Sequence, residues 1–108
     1  MTTPIDLRSD TVTKPSQQMR EAMAQADVDD DVIDIDPTVD RLQKKIAEIT
    51  GKEAALFVPS GTMSNQIGLR IHCRSGEEFI CESQCHIYSY EQGAYASLSG
   101  LAVQLLPG

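Results

Sequence analysis

The hydrophobic positions of the N-terminal half follow a helical period in two places. Met19 and Met23 lie four residues apart, with Ser16 before them as N-cap, so we predict a short helix there. A longer amphipathic helix is predicted from Asp36-Pro37, a cap followed by proline at the first helical position, to Gly51. Its apolar face carries Val39, Leu42, Ile46 and Ile49.

The second half alternates between short apolar runs and helical segments. We predict three buried strands and two intervening helices, in the order 54–58 (strand), 63–73 (helix), 79–81 (strand), 87–99 (helix) and 101–106 (strand). This alternation is typical of a parallel α/β sheet with right-handed crossovers. Three parallel strands need cover on both faces, and the few predicted helices do not supply it, so we expect the segment to be part of a larger fold.

Composition limits the functional class. The chain has 108 residues, 41% of them hydrophobic and 23% charged, an average globular share that excludes a fully disordered or fibrous protein. The net charge of −7 disfavours non-specific binding to nucleic acid or to an anionic membrane. No apolar run is long enough for a transmembrane helix, and residues 1–6 lack the features of a secretory signal. The odd number of cysteines, three, favours a reducing compartment, so we expect a cytoplasmic protein.

The acidic excess is local. Residues 1–36 hold nine of the sixteen acidic side chains, most of them within Asp27–Asp36. That stretch does not fit a calcium-binding loop, because Val32 stands where glycine is required and Thr38 where the final glutamate is required. We predict a solvated loop that caps the next helix. The chain is accordingly divided into an N-terminal arm with the short helix and acidic loop, residues 1–36, and the first helices and strands of an α/β domain, residues 37–108.

Two segments carry candidate chemistry. Pro59-Ser60-Gly61-Thr62 lies between a predicted strand and a predicted helix, where free N–H groups, the positive helix end and two hydroxyls suit an anion such as phosphate. The alternative is an ordinary turn with Thr62 as N-cap. His86 follows the next predicted strand, at the edge where ligands of α/β sheets gather, and its flat ring could stack on a flat ligand. The alternative there is a surface or capping histidine.

The cysteines and histidines do not form a typical metal motif. Cys81, Cys85 and His86, with His72-Cys73 upstream, lack the paired Cys-x-x-Cys knuckles of zinc sites. Cys81 also lies in a predicted strand, where small buried thiols are common. We therefore predict no metal site.

Five segments match one family in order and spacing. The most specific are residues 5–15, Ile-Asp-Leu-Arg-Ser-Asp-Thr-Val-Thr-Lys-Pro, and residues 51–63, Gly-Lys-Glu-Ala-Ala-Leu-Phe-Val-Pro-Ser-Gly-Thr-Met. The others are Asp36–Val39, His86–Tyr88 and Glu91–Ala94. Together they resemble the threonine aldolases, pyridoxal phosphate (PLP)-dependent enzymes of fold type I. The resemblance implies the N-terminal part of the fold type I large domain, a mostly parallel sheet with flanking helices, truncated within it.

The resemblance also implies a reaction and a set of site residues. The family cleaves threonine and allo-threonine to glycine and acetaldehyde by a retro-aldol step, and PLP stores the carbanion's electrons in its ring. Ser60, Gly61 and Thr62 are then expected to bind the cofactor phosphate. His86 is expected to be catalytic and to stack on the pyridine ring, and Ser9 to contact the substrate carboxylate. The implied partner is a small amino acid substrate, with no nucleic acid or membrane, in a homo-oligomer (a tetramer).

Two departures from the family pattern leave alternatives open. Asp29 and Asp34 replace glycines of the family's acidic loop and Ile33 replaces a tyrosine, which leaves the loop's backbone freedom and the substrate preference open. None of the chain's lysines stands in the context of the family's Schiff-base lysine: Lys14, Lys44, Lys45 and Lys52. The resemblance places that lysine beyond residue 108, together with the aspartate on the pyridine nitrogen and the arginines on the substrate carboxylate. The alternatives are a catalytically inactive fragment, another fold type I enzyme (a β-eliminating lyase or an aminotransferase), and a small phosphate-binding module.

Overall fold

A computed structural model of the chain describes residues 5–108. The chain groups into two compact units, Met1–Ala55 and Leu56–Gly108, each with its own elements. Met1–Pro4, part of the predicted N-terminal arm, lie outside the described residues. The predicted division of the chain after residue 36 stays a prediction.

The described part of the first unit, residues 5–55, contains one 3-10 turn and two helices. The turn spans Asp10–Val12, helix α1 spans Gln17–Ala24 and helix α2 spans Pro37–Thr50. Helix α1 begins where expected, because the hydroxyl oxygen of Ser16 accepts the backbone N–H of Met19 at 3.2 Å. The predicted short helix and its cap are confirmed.

Asp36 caps α2 and closes the acidic loop. Its Oδ1 accepts the N–H groups of Thr38 and Val39, both at 2.8 Å, and its Oδ2 accepts the N–H of Asp29 across the loop at 2.9 Å. The bonds from Asp29, Val39 and Thr38 outweigh burial and hold the pKa of Asp36 below its ordinary value. Helix α2 ends at Gly51, whose φ of 64° is left-handed. The predicted cap, loop and helix end are confirmed.

The second unit contains three helices and a two-stranded sheet. Its elements are α3 (Gly61–His72), β1 (Glu78–Glu82), α4 (His86–Ser89), α5 (Ala94–Ser97) and β2 (Ala102–Leu106). The two strands run parallel, with Glu78 opposite Ala102 and Glu82 opposite Leu106. Parallel strands need a crossover connection, and the segment with α4 and α5 supplies it. The predicted parallel pairing of these two strands is confirmed.

One face of the sheet and a tyrosine ring form the packed part of the second unit. Phe79 and Val103 are opposite one another in register and half-buried, while the next residue along each strand is exposed. The ring of Phe79 meets that of Tyr95 edge to face, with centroids 5.5 Å apart. Of the apolar side chains in the described residues, Ala94 and Leu101 are the buried ones, so the core is small.

Two predictions for the second half are wrong. Residues 54–58 do not form a strand: the sheet in the described part of the chain consists of β1 and β2, and Leu56 is 72% exposed. An apolar run becomes a strand only where a neighbour offers a ladder of N–H and C=O groups, which hydrophobic periodicity does not reveal. Residues 87–99 form two short helices, because Gln92 (φ 55°) and Gly93 (φ 67°) adopt a left-handed backbone that interrupts an α-helix.

The apolar face predicted for α2 is exposed. Leu42, Ile46 and Ile49 are 44%, 43% and 66% accessible to solvent. A contiguous apolar stripe of this kind is typical of surface that another element or another chain covers. Within residues 5–108, no helix has both the length and the apolar character needed to cross a bilayer.

Candidate functional site

Helix α3 begins at a capped N-terminus that corresponds to the predicted anion site. Ser60 has an extended backbone (φ −151°, ψ 152°), and its Oγ accepts the backbone N–H of Met63 at 3.1 Å. Gly61 and Thr62 are already helical, so the alternative interpretation of Thr62 as the N-cap is wrong. Ser60 is the cap because a capping residue lies just outside the helix and reaches the N–H three positions on.

The first turn of α3 offers hydrogen-bond donors and space to an anion. N–H groups at a helix N-terminus have no acceptor within the helix and concentrate positive charge. Ser60 satisfies the N–H of Met63, and Thr62 adds a half-buried hydroxyl side chain at the second helical position. Gly61 carries no side chain, and a Cβ built there would meet no atom within 4 Å. A phosphate group therefore fits the donors, the charge and the room at this end of the helix.

His86 is the first residue of α4 and follows the carboxyl end of β1. Its predicted place at this edge of a parallel strand is confirmed, although β1 is the first strand of the described sheet rather than the second. The side chain is 62% exposed, and its ring lies 5.4 Å from that of Tyr90 at an angle of 36°. The imidazole therefore has free surface for contact with a flat ligand.

A buried carboxylate ties His86 to helix α3. Glu91 is only 2% exposed, and its Oε1 accepts hydrogen bonds from His86 Nδ1 (2.9 Å) and Asn65 Nδ2 (2.6 Å). Its Oε2 accepts a third from Gln66 Nε2 (2.8 Å). Asn65 and Gln66 stand three and four positions after Thr62, on the same face of α3 one turn along. These four residues, the Glu91 cluster, thus join the N-terminal half of α3 to the histidine.

The hydrogen bonds of the Glu91 cluster favour the ionised form of its acid. Burial acts to raise the pKa of Glu91, but the hydrogen bonds from Asn65, His86 and Gln66 outweigh burial and leave that pKa below its ordinary value. An ionised carboxylate only accepts hydrogen bonds, so Nδ1 of His86 carries the proton in this contact. In the neutral ring, Nε2 then keeps its lone pair.

Sequence reasoning missed three members of the Glu91 cluster. The sequence predicts Asn65 and Gln66 only as part of a helix, and Glu91 only as part of a segment that resembles the threonine aldolases. The available signals were a pair of neighbouring amides in an otherwise apolar stretch of α3 and a glutamate five residues after His86. Neither signal reveals that Gln66 and Glu91 are both buried, which is what makes the contact informative.

Ser9, predicted to contact the substrate carboxylate, lies in the first unit. It caps the 3-10 turn: its Oγ accepts the N–H of Thr11 at 3.2 Å and lies 2.9 Å from the Thr11 hydroxyl. The side chain is exposed. The other predicted site residues belong to the second unit, so the role of Ser9 toward a substrate stays a prediction.

The cysteines show no metal-binding arrangement in the described residues, where no three His, Cys, Asp or Glu side chains are grouped to hold an ion. All three cysteines are free thiols. Burial, together with a hydrogen bond to the Cys85 side chain, raises the pKa of Cys81 to about 11. That thiol is therefore protonated at neutral pH, which makes it a poor nucleophile and a poor ligand.

Comparison with known families gives one match that includes both the start of α3 and the Glu91 cluster. The family model described as beta-eliminating lyase matches residues 6–108, a range that includes the start of α3 and the whole Glu91 cluster. The chain belongs to the beta-eliminating lyase family. The match extends across both units, so the 3-10 turn with Ser9 and the cluster around Glu91 both lie in the segment that matches the beta-eliminating lyases.

The chain is also similar to proteins named as threonine aldolases. It is 58% identical over 98 residues to the probable low-specificity L-threonine aldolase 2 of Arabidopsis thaliana, covering 90% of this chain and 28% of that protein. Identity to the low specificity L-threonine aldolase of Escherichia coli strain K12 is 52% over 100 residues (93% and 30%). Identity to that of Saccharomyces cerevisiae is 40% over 104 residues (94% and 27%). The predicted resemblance is confirmed, and the chain spans less than a third of the length of these relatives.

Proposed function

We propose that the chain forms one side of the active site of a PLP-dependent threonine aldolase, which cleaves threonine and allo-threonine to glycine and acetaldehyde. One observation carries the proposal: the helix that begins at the Ser60 cap also holds the exposed ring of His86, through the hydrogen bonds from Asn65 to Glu91 and from Glu91 to His86. PLP has a phosphate at one end and a flat ring at the other. A binding site for PLP therefore needs an anion site and a surface for ring stacking at a fixed distance from each other. The names of the relatives, at 40–58% identity, support the same activity.

Ser60, Gly61 and Thr62 hold the cofactor phosphate in this proposal. The hydroxyl of Ser60 accepts the N–H of Met63 and still has its own proton to donate. Thr62 donates a second hydroxyl proton, and the positive end of α3 stabilises the negative charge. Gly61 leaves the backbone accessible, which lets the phosphate approach the N–H groups closely.

His86 and Ser9 orient the reacting molecule in this proposal. PLP supplies the electron sink for the pair of electrons released when the Cα–Cβ bond of the substrate breaks. The imidazole of His86 packs flat on the pyridine ring and keeps water from that face. The hydroxyl of Ser9 donates a hydrogen bond to the substrate carboxylate and so limits rotation about the Cα–N bond, which fixes the direction of the Cα–Cβ bond that breaks.

We further propose that β1 and β2 belong to the large domain of fold type I, in a cytoplasmic homo-oligomer, a tetramer, that acts on small amino acids and not on nucleic acid or membranes. The free thiols support a reducing compartment, and the net charge of −7 argues against nucleic acid. The exposed apolar stripe of α2 supports contact with another element or subunit. Light scattering of the full-length enzyme tests the oligomeric state.

The activity is tested with the full-length enzyme that carries this sequence, supplied with PLP and with L-threonine or L-allo-threonine. We expect glycine and acetaldehyde in equal amounts, with the aldehyde followed by NADH-coupled reduction. His86→Ala should lower turnover because the stacking contact is lost. The matched control is His72→Ala, which removes an exposed histidine at the far end of α3 and should leave turnover unchanged.

The family description favours one second candidate, a β-elimination reaction. Such a reaction on threonine first eliminates water, and hydrolysis of the resulting imine then takes up one water molecule and releases ammonia. The final products are ammonia and 2-oxobutanoate, which differ from those of the aldolase. Ammonia and 2-oxobutanoate in place of glycine and acetaldehyde would support this second candidate and contradict the aldolase proposal.

A further inference from the structure

The orientation of His86 is not fixed by its own burial. The side chain is 62% exposed, and an exposed imidazole otherwise rotates about two side-chain bonds. The ring lies against the tilted ring of Tyr90, and its Nδ1 makes a short hydrogen bond to Glu91. Glu91, in contrast, has a fully buried side chain whose two oxygens are both engaged on α3. Helix α3 therefore fixes the position of the Glu91 carboxylate, and the carboxylate in turn limits the movement of the His86 ring.

We propose that Glu91 is a positioning residue that holds the imidazole of His86 in one ring orientation and in one tautomer, with the proton on Nδ1. A carboxylate at 2.9 Å accepts this proton and cannot donate one to Nδ1. Nε2 is then the unprotonated nitrogen of the neutral ring. Glu91 does not itself contact the cofactor or the substrate in this proposal.

The same acid couples the ring contact to the phosphate site, a part of the proposal that rests on the proposed function. Asn65 and Gln66 hold Glu91 from the face of α3 that begins with Thr62. A movement of α3 therefore carries the histidine with it. The start of α3, which would bind the phosphate, and the His86 ring, which would stack on the pyridine ring, would thus keep a constant separation.

A purely structural role accounts poorly for an acid at position 91. Glutamine has the same shape and would avoid the cost of burying a charge, so packing alone would favour the neutral side chain. Three side-chain nitrogens converge on position 91, and an ionised carboxylate leaves each of them only the role of donor, whereas glutamine would not. Two of them come from α3, and the third is the exposed histidine.

The first test reads the tautomer directly in the full-length apoenzyme, with histidine labelled with 15N and observed by NMR at a pH where the ring is neutral. The signal of His86 is assigned by its loss in His86→Ala. We expect a protonated Nδ1 and an unprotonated Nε2 in the wild type. Glu91→Gln should shift His86 toward the Nε2–H tautomer, because the amide of glutamine donates to Nδ1. Glu77→Gln is the matched control, since Glu77 accepts the N–H of Arg74 and has no contact with His86.

The second test is a double-mutant cycle on turnover by the full-length holoenzyme. Glu91→Gln should lower kcat on the order of tenfold when His86 is present. In the His86→Ala background the same change should have almost no further effect, because Glu91 then has nothing to position. An equal loss in both backgrounds would overturn the proposal and leave Glu91 with a structural role alone.

The NMR result separates this proposal from the proposed function. A wild-type apoenzyme with the proton of His86 on Nε2 would refute the positioning role, whether or not threonine is cleaved. The wild-type spectrum decides even if Glu91→Gln does not fold. If the NMR spectrum shows the proton on Nδ1 but the enzyme makes no glycine from threonine, Glu91 is still the positioning residue of His86. The proposed aldolase reaction is then overturned.

Discussion

Replacing Thr62 with valine separates cofactor binding from helix capping at the start of α3. Valine keeps the branched shape of threonine and has a similar helix propensity, so the fold is expected to stay within about 0.5 kcal/mol of the wild type. The lost hydroxyl is the proposed donor to a phosphate dianion. A charge-assisted hydrogen bond of this kind contributes about 1.5–3 kcal/mol, which corresponds to a roughly ten- to over a hundredfold weaker affinity for PLP.

Ser60→Ala provides the contrasting variant. It removes the hydroxyl that accepts the N–H of Met63, so the apoenzyme should lose about 1 kcal/mol of stability. It also removes a proposed phosphate donor, so its PLP affinity should fall as well. Thr62→Val is therefore expected to change affinity alone, whereas Ser60→Ala changes both quantities.

PLP affinity is measured by equilibrium titration of the full-length apoenzyme with PLP, monitored by absorbance. The stability of the same apoenzyme is measured by thermal unfolding. Thr50→Val is the control, because it makes the same substitution at the last residue of α2, where the hydroxyl bonds only to carbonyls of its own helix. It should leave PLP affinity unchanged. Wild-type affinity in Thr62→Val would refute the phosphate role of Thr62 and remove much of the physical support for a phosphate site at residues 59–62.

Three further predictions address the remaining features. A polypeptide limited to residues 1–108 should self-associate or be molten and bind hydrophobic dyes, because its described part buries few apolar side chains; cooperative unfolding of a monomer would contradict this. The same polypeptide should give neither glycine from threonine nor a borohydride-stable PLP adduct at one lysine, because none of its four lysines stands in the context of the family's Schiff-base lysine. Gly51→Ala should cost about 1–2 kcal/mol of apoenzyme stability, since φ is 64°, and Gly51→Asn should cost less; thermal unfolding of both variants checks the order. The lowered pKa of Asp36 means that its stabilising contribution is full above the ordinary carboxylate pKa and is lost as the pH falls through the lowered value, so Asp36→Asn should lose less stability than the wild type between neutral and acidic pH.

The helix boundaries of the first unit could be predicted because their determinants are local. Ser16 and Asp36 accept N–H groups two or three residues away, and Gly51 supplies the left-handed backbone at the helix end. The chemistry of each boundary is therefore contained within a few consecutive residues. Short apolar runs also identified the two paired strands, residues 79–81 within β1 and residues 101–106 around β2.

The features that could not be predicted depend on distant residues. The run at residues 54–58 has the composition of a strand but lies outside the described sheet. Glu91 is a buried acid only because two amides 25 and 26 residues earlier in the chain point toward it. The break within residues 87–99 is an intermediate case, because Gly93 is visible in the sequence but the left-handed backbone of Gln92 before it is not.

The Glu91 cluster also constrains how the sequence can change over evolution. Without Asn65 and Gln66 the acid would be a buried charge with too few donors, and without the acid both amides would lose their acceptor. A single substitution at any of these positions is therefore disfavoured until a second one compensates for it. We expect the residues aligned with 65, 66, 86 and 91 to covary among members of the family. Members that keep the glutamate should keep both amides and the histidine, and members with a neutral side chain at 91 should differ at 65 or 66 as well.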